Sequence, residues 1–246
     1  MAHPFEVRAE IDVAASPEDV WDAITTGRVL DAWFMGTSSV EPRLGGAVRT
    51  DLGGFSLEAT ITAWDPPHRF ATTTPEGDDG ALMAFEYVIE GRGGDRAHLR
   101  YVHSGFLAGD DWEQEYDALK NGDPAYVFKL GEYLQYFRGR VATPLAAYGA
   151  AVERDRAFRV FGEALALSGE PQVGAMARFE AEGLPSFEGV VDYVSRDFLG
   201  VRTSDAMYRF IHGLGGAVVL GHHVFAEIDR EAGERAWQAW VDRSFA

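Results

Sequence analysis

Among the residues that could do acid–base chemistry, the histidines come first. His103 stands in "LRYVHSGF", an alternating stretch that puts it on the same strand face as Tyr101. An imidazole beside a phenol on an apolar face suits an acid, a base or a ligand clamp. A histidine at the edge of a core, bonded to a neighbour, fits the same pattern. His222 and His223 are adjacent on a strand, so their rings point to opposite faces and make no metal-binding pair. His212 lies one strand away and could approach one of them, but no carboxylate pattern accompanies these residues and no metal is expected. Ser104 follows His103 directly, on the opposite face, so no Ser-His triad is supported. There is no Gly-x-Ser-x-Gly elbow, and the glycine pairs fall between strands, where no phosphate-cradling loop forms. With no cysteine there is no thiolate nucleophile, disulfide or thiolate-bound metal.

Charge narrows the partners. The 246 residues carry 39 acidic against 22 basic side chains, a net charge of −17 that repels nucleic-acid phosphates and anionic lipid surfaces. The acidic run Asp110–Asp117, "DDWEQEYD", reads as a solvated loop or helix start, because it lacks the glycine-centred ligand spacing of a divalent-ion loop. Glu86 alternates with Phe85 and Tyr87 and is read as a solvated charge. Arg49 and Arg100 could reach an acidic ligand head, but a surface pair with Glu58 or Glu86 is expected instead. No apolar run approaches the roughly 20 residues of a membrane span. The N-terminus lacks the basic start and apolar core of a signal peptide, and a cytoplasmic location follows as the default.

Aromatic residues make up 13% of the chain and are its most coherent signal. Their positions depend on the elements that carry them. Residues 5–14 alternate as a strand. Ser16 caps a helix with Pro17 at its first position and Glu18 and Asp19 at its positive end, and "RVLDAWF" makes a second short helix. From Leu44 to Phe106, turns at Gly45-Gly46, Gly53-Gly54, Pro66-Pro67, "PEGDDG" and "GRGGD" separate five strand-like runs, with linkers short enough for hairpins. A long helix follows, opened by Pro124 and ended near Pro144, with Val127, Leu130, Leu134, Phe137 and Val141 at helical spacing. A curved antiparallel sheet of this kind buries one face only if that helix lies across it, with the two small helices closing one end.

This order, with "SPEDVWDAIT", "RVLDAWF", "GGAVRTDLGG", "ATITAWDPPHRF", "VHSGF" and "GDDWEQEYDA", resembles the START-like (SRPBCC, helix-grip) superfamily. More narrowly it is similar to the bacterial branch named for the activator of the heat-shock-protein-90 ATPase. The resemblance covers residues 5–140. Two features depart from the family: "ATTTPEG" where a Trp is common, and "DPAYVF" where Gly-Trp opens the long helix. It implies an α+β helix-grip domain over residues 1–143, whose aromatic residues line an elongated cavity between sheet and long helix. Trp33, Phe34, Phe55, Phe85, Tyr87, Tyr101, His103, Tyr126, Tyr133 and Phe137 are the ligand-binding candidates. The alternative is a filled core of the same rings.

After Val141 the rhythm repeats. An amphipathic helix, alternating runs and a last helix carrying Trp237, Trp240 and Val241 read as a shortened second copy over residues 144–246, lacking the first strand and the two-helix plug. Phe85 would match Tyr208 or Phe210. The copy is expected to stabilise, cap or dimerise the first. The expected function is non-catalytic binding of a small, largely apolar molecule, without a cofactor. A homodimer is allowed for, and neither nucleic acid nor membrane insertion is expected. One rival is a cyclase- or aromatase-like enzyme with Tyr101 and His103 as acid and base. Another is a protein-interaction module that uses the acidic face.

Overall fold

Alternation of inward apolar and outward charged residues from His3 to Val13 makes the first strand, β1. The helix α1 (Pro17–Thr25) follows. Its capping residue Ser16 accepts the Asp19 N–H at 3.1 Å, while the Asp19 carboxylate accepts the Ser16 N–H at 3.2 Å. The short α2 (Gly27–Leu30) leads into Trp33 and Phe34, and the strands β2 (Thr37–Val40), β3 (Ala47–Asp51), β4 (Ser56–Asp65), β5 (Arg69–Thr73), β6 (Leu82–Gly91) and β7 (Ala97–Leu107) succeed one another. The computed structural model describes residues 2–52 and 54–246; Gly53, the first half of one expected glycine turn, lies outside the described residues. All pairings are antiparallel, in the order β1-β7-β6-β5-β4-β3-β2, so the first strand is zipped to the last.

The strand β2, "TSSV", has no apolar alternation and was not foreseen. It is held by pairing to β3, by the Asp31 carboxylate accepting the Ser38 N–H at 2.6 Å, and by a 3.2 Å contact between the Ser38 and Thr50 hydroxyls. In β7, Gly105 has φ +148°, and a Cβ there would run into the Leu82 carbonyl. Only glycine lets the strand pass at that point.

The long helix differs from expectation at both ends. α3 spans Trp112–Glu132 and continues through a π-helical turn at Tyr133–Phe137, so Pro124 lies inside it and Pro144 lies in the next strand. An interior proline removes one backbone bond. The first turns hold because Trp112, Tyr116 and Leu119 pack on buried Phe5, Val7 and Leu107. The expected acidic run is their exposed side. Gly131 has no side chain to hold the helix off Ile11 of β1.

The chain divides into two compact units, Met1–Val141 and Ala142–Ala246. In the second come β8 (Thr143–Ala151), α4 (Arg154–Ala164), β9 (Met176–Phe179), β10 (Phe187–Val194), β11 (Phe198–Arg202), β12 (Ala206–His212), β13 (Ala217–Val224) and α5 (Arg230–Ser244). Its six strands run β8-β13-β12-β11-β10-β9, the circuit of the first sheet shortened by one edge strand. The second copy therefore keeps its first strand, contrary to expectation. "TPLAAYGAA" has a low intrinsic preference for strand and forms one by pairing with β13. The single helix α4 stands in sequence where the first unit has two. Phe161, Phe179, Phe210, Trp237 and Trp240 fill its core. β12 is buried on both faces and carries Arg209, which grips Asp192 of β10 with bonds of 2.8 and 3.1 Å.

Candidate functional site

Antiparallel register places two rows of side chains across the inner face of the first sheet. One row runs Trp64, Phe70, Tyr87, Tyr101 and Ala9. Its ring centroids are 5.8 Å apart from Trp64 to Phe70, 6.1 Å from Phe70 to Tyr87 and 5.0 Å from Tyr87 to Tyr101. Trp21 of α1 closes the far end, edge-on to Trp64 at 4.9 Å. The next row runs Ile61, Thr72, Phe85, His103 and Val7. The one-residue bulge in β4 between Ile61 and Ala63 keeps Ile61 and Trp64 on the same face.

His103 is the histidine of this surface. Its side chain is 2% exposed, lies nearly parallel to Phe85 at 4.1 Å and meets the Phe5 ring edge-on at 4.9 Å. The helix α3 brings Asp123 over it. Asp123 falls in the phase of the buried stripe, after Tyr116 and Leu119 and before Val127 and Leu130, so its carboxylate is turned inward. The Nδ1–H of His103 donates to Asp123 Oδ2 at 2.9 Å. His103 Nε2 is buried and has no hydrogen-bond partner.

The phenols record how dry this place is. Burial first, then Tyr87 and Asp123, holds the Tyr101 phenol well above its ordinary 10.0. Tyr87 is pushed the same way by burial and by the Asp123 charge. Both stay protonated in any physiological medium.

Phe85, Tyr87, Tyr101 and His103 thus form one contiguous surface. Trp33, Phe34 and Tyr126 form a second group, with centroids 5.5 and 5.4 Å apart, and the Trp33 indole donates to the Ala23 carbonyl at 2.9 Å. Tyr133 and Phe137 are buried on the π-helical turn. The Tyr133 hydroxyl accepts the Gly139 N–H at 3.3 Å, and Arg140 lies over the Phe137 ring at 5.5 Å. Phe55 is a correction. It stands where the β3–β4 turn closes through the Leu52 N–H and the Phe55 carbonyl, and it is 62% exposed. A residue on that turn projects away from the face that α3 covers.

Phe5, Trp21, Trp64, Phe70 and Asp123 belong to the surface but were not among the candidates. A helix taken to begin at Pro124 leaves Asp123 outside it, although its spacing from Tyr116 and Leu119 was the signal that could have found it. Arg49 pairs with Glu58 at 3.0 Å as expected, whereas Arg100 pairs with Glu90 and Glu86 with Arg69. His212 bonds the Val152 carbonyl rather than approaching His222. His222 lies opposite Leu145, as His103 lies opposite Val7, but Trp237 of α5 packs on it at 4.4 Å and its Nδ1 accepts the Arg209 N–H at 3.1 Å. Among the described residues no three His, Asp or Glu side chains gather as a metal site, and no helix is long and apolar enough to cross a membrane.

Residues 14–135 match the family described as Activator of Hsp90 ATPase homolog 1-like protein. No curated protein matches the chain. Among solved structures it is similar to protein MLL2253 from Mesorhizobium loti, with 22% identity over 53% of this chain and 96% of that one and a TM-score of 0.46. It is also similar to the Aha1 dimer from Colwellia psychrerythraea, with 18% identity over 55% and 99% of the two chains and a TM-score of 0.45. The di-domain ARO/CYC BexL from the BE-7585A biosynthetic pathway aligns with 98% of this chain and 94% of its own, at 11% identity and a TM-score of 0.48. With its sheet order, its long covering helix and this family match, the N-terminal unit is a START-like domain similar to the Activator of Hsp90 ATPase homolog 1-like family.

Proposed function

We propose that the N-terminal unit binds a small, largely apolar molecule between the inner face of its sheet and α3, and that the protein does so in the cytoplasm without a cofactor. The observation that carries this reading is His103 Nε2, a buried polar atom with no hydrogen-bond partner, set between the Phe85 and Phe5 rings. An unsatisfied buried group of this kind costs about 1–3 kcal/mol, and a ligand that supplies its partner recovers that penalty. Phe85 and Tyr87 lie on the face that α3 covers and yet are only partly buried, while burial shifts the Tyr87 phenol strongly. Open surface inside a dry environment is what a ligand space, rather than a solid core, would produce. Ring faces would supply most of the binding energy.

A second reading has its own observation. Asp123 orients His103 as a carboxylate orients a general base, so the same site would serve proton transfer on a bound substrate. Native mass spectrometry of the purified chain, followed by denaturing extraction and a thermal-shift screen of apolar ligands, tests the binding reading. A co-purified small molecule, or a rise in Tm that Phe85→Ala abolishes, supports it. An empty protein that no ligand stabilises overturns it, and with it the proton-transfer reading.

A further inference from the structure

Resting on the ligand-binding reading, we propose that the site selects hydroxylated aromatic compounds, because His103 Nε2 presents a lone pair that takes the ligand's O–H. The argument starts from the opposite ring nitrogen. Asp123 Oδ2 lies 2.9 Å from His103 Nδ1, and a carboxylate only accepts hydrogen bonds. The proton of the neutral imidazole is therefore fixed on Nδ1, and Nε2 is an acceptor. An imidazolium would put a charged N–H without a partner at a position 2% exposed, between Phe85 and Phe5. That is costlier than an unfilled lone pair.

The ligand's remaining chemistry follows from the neighbours. The rings of Phe85 and Tyr87, which are only partly buried, favour a planar aromatic body. The Asp123 charge beneath His103 and the chain's −17 disfavour a carboxylate or phosphate ligand. Among neutral donors on an aromatic body, a phenolic or enolic hydroxyl is the strongest. The second unit shows the contrast: His222 has its Nδ1 occupied as an acceptor and Trp237 against its ring, so it does not repeat the device.

The test uses three probes of one shape on the full-length chain: 2-naphthol, which donates a hydrogen bond, and 2-methoxynaphthalene and 2-acetylnaphthalene, which only accept one. Calorimetric titration is expected to rank 2-naphthol about tenfold or more ahead of the other two. The preference should shrink to within about threefold in His103→Phe, which keeps the stacking on Phe85 and removes the lone pair. The ranking in the unaltered chain is decisive even if the variant fails to fold. Equal binding of the three, or tighter binding of the ketone or ether, overturns the donor selection and leaves the pocket standing. Failure of all three to bind overturns the pocket reading as well as this one.

Discussion

At His103 one hydrogen bond determines what the rest of the site can recognise. A histidine on an apolar strand face has two tautomers, and the carboxylate that Asp123 delivers chooses between them. Arg209 and Asp192 show the other use of buried polarity. Their side chains are 4% and 3% exposed, joined by two bonds, with Gly200 leaving room beside them. Breaking such a pair strands a charge in the interior, which typically costs about 3–5 kcal/mol. Asp192→Ala should lower the free energy of unfolding by an amount in that range in a urea titration. A loss below about 1 kcal/mol would mean that water reaches Arg209.

Among the elements, α3 does the positioning. It holds Asp123 over β7, and its π-helical continuation buries Tyr133 and Phe137. Its weak point is Pro124, which cannot donate to the preceding turn. If the backbone there is otherwise helical, Pro124→Ala restores that bond and should raise stability, by at most about 3 kcal/mol, measured as a shift in the urea midpoint at unchanged slope. A destabilised variant would show instead that the proline's fixed geometry is needed to aim Asp123.

For the whole molecule, the dry phenols set an alkaline limit. Tyr87 and Tyr101 in the first unit and Tyr208 in the second are raised above 10.0, in each case chiefly by burial. Above pH 10 the unfolded chain releases these protons and the folded chain does not, so the unfolded state gains. Stability from this source is complete below pH 10 and is lost progressively as pH rises beyond it. An ultraviolet titration of tyrosinate should show these phenols ionising late and together with the loss of the folded circular-dichroism signal. Phenols that ionise near 10.0 in a still-folded chain would contradict the burial described here.

Much of this was legible without coordinates, because local chemistry is written locally. Period-two alternation in β1, β6 and β7, the Ser16 cap and the Gly-rich turns each depend on neighbours a few residues away. The aromatic surface is legible in part: alternation puts Phe85 with Tyr87 on one strand face and Tyr101 with His103 on another, and strand pairing joins the two. Other features depend on partners distant in the chain. β8 and β2 are strands because β13 and β3 pair with them, not because their residues prefer it. The helix runs through Pro124 because packing on Phe5 and Val7 outweighs a local breaker. Phe55 was assigned inward by type, and a turn put it in solvent. Sequence periodicity determined most of the strands and helices, β2 and β8 excepted, and the aromatic character of the inner face. Only tertiary structure could set Asp123 against His103, 20 residues away in the chain, and leave Nε2 buried without a partner, since a hydrogen bond between two elements depends on how they pack and not on what either contains.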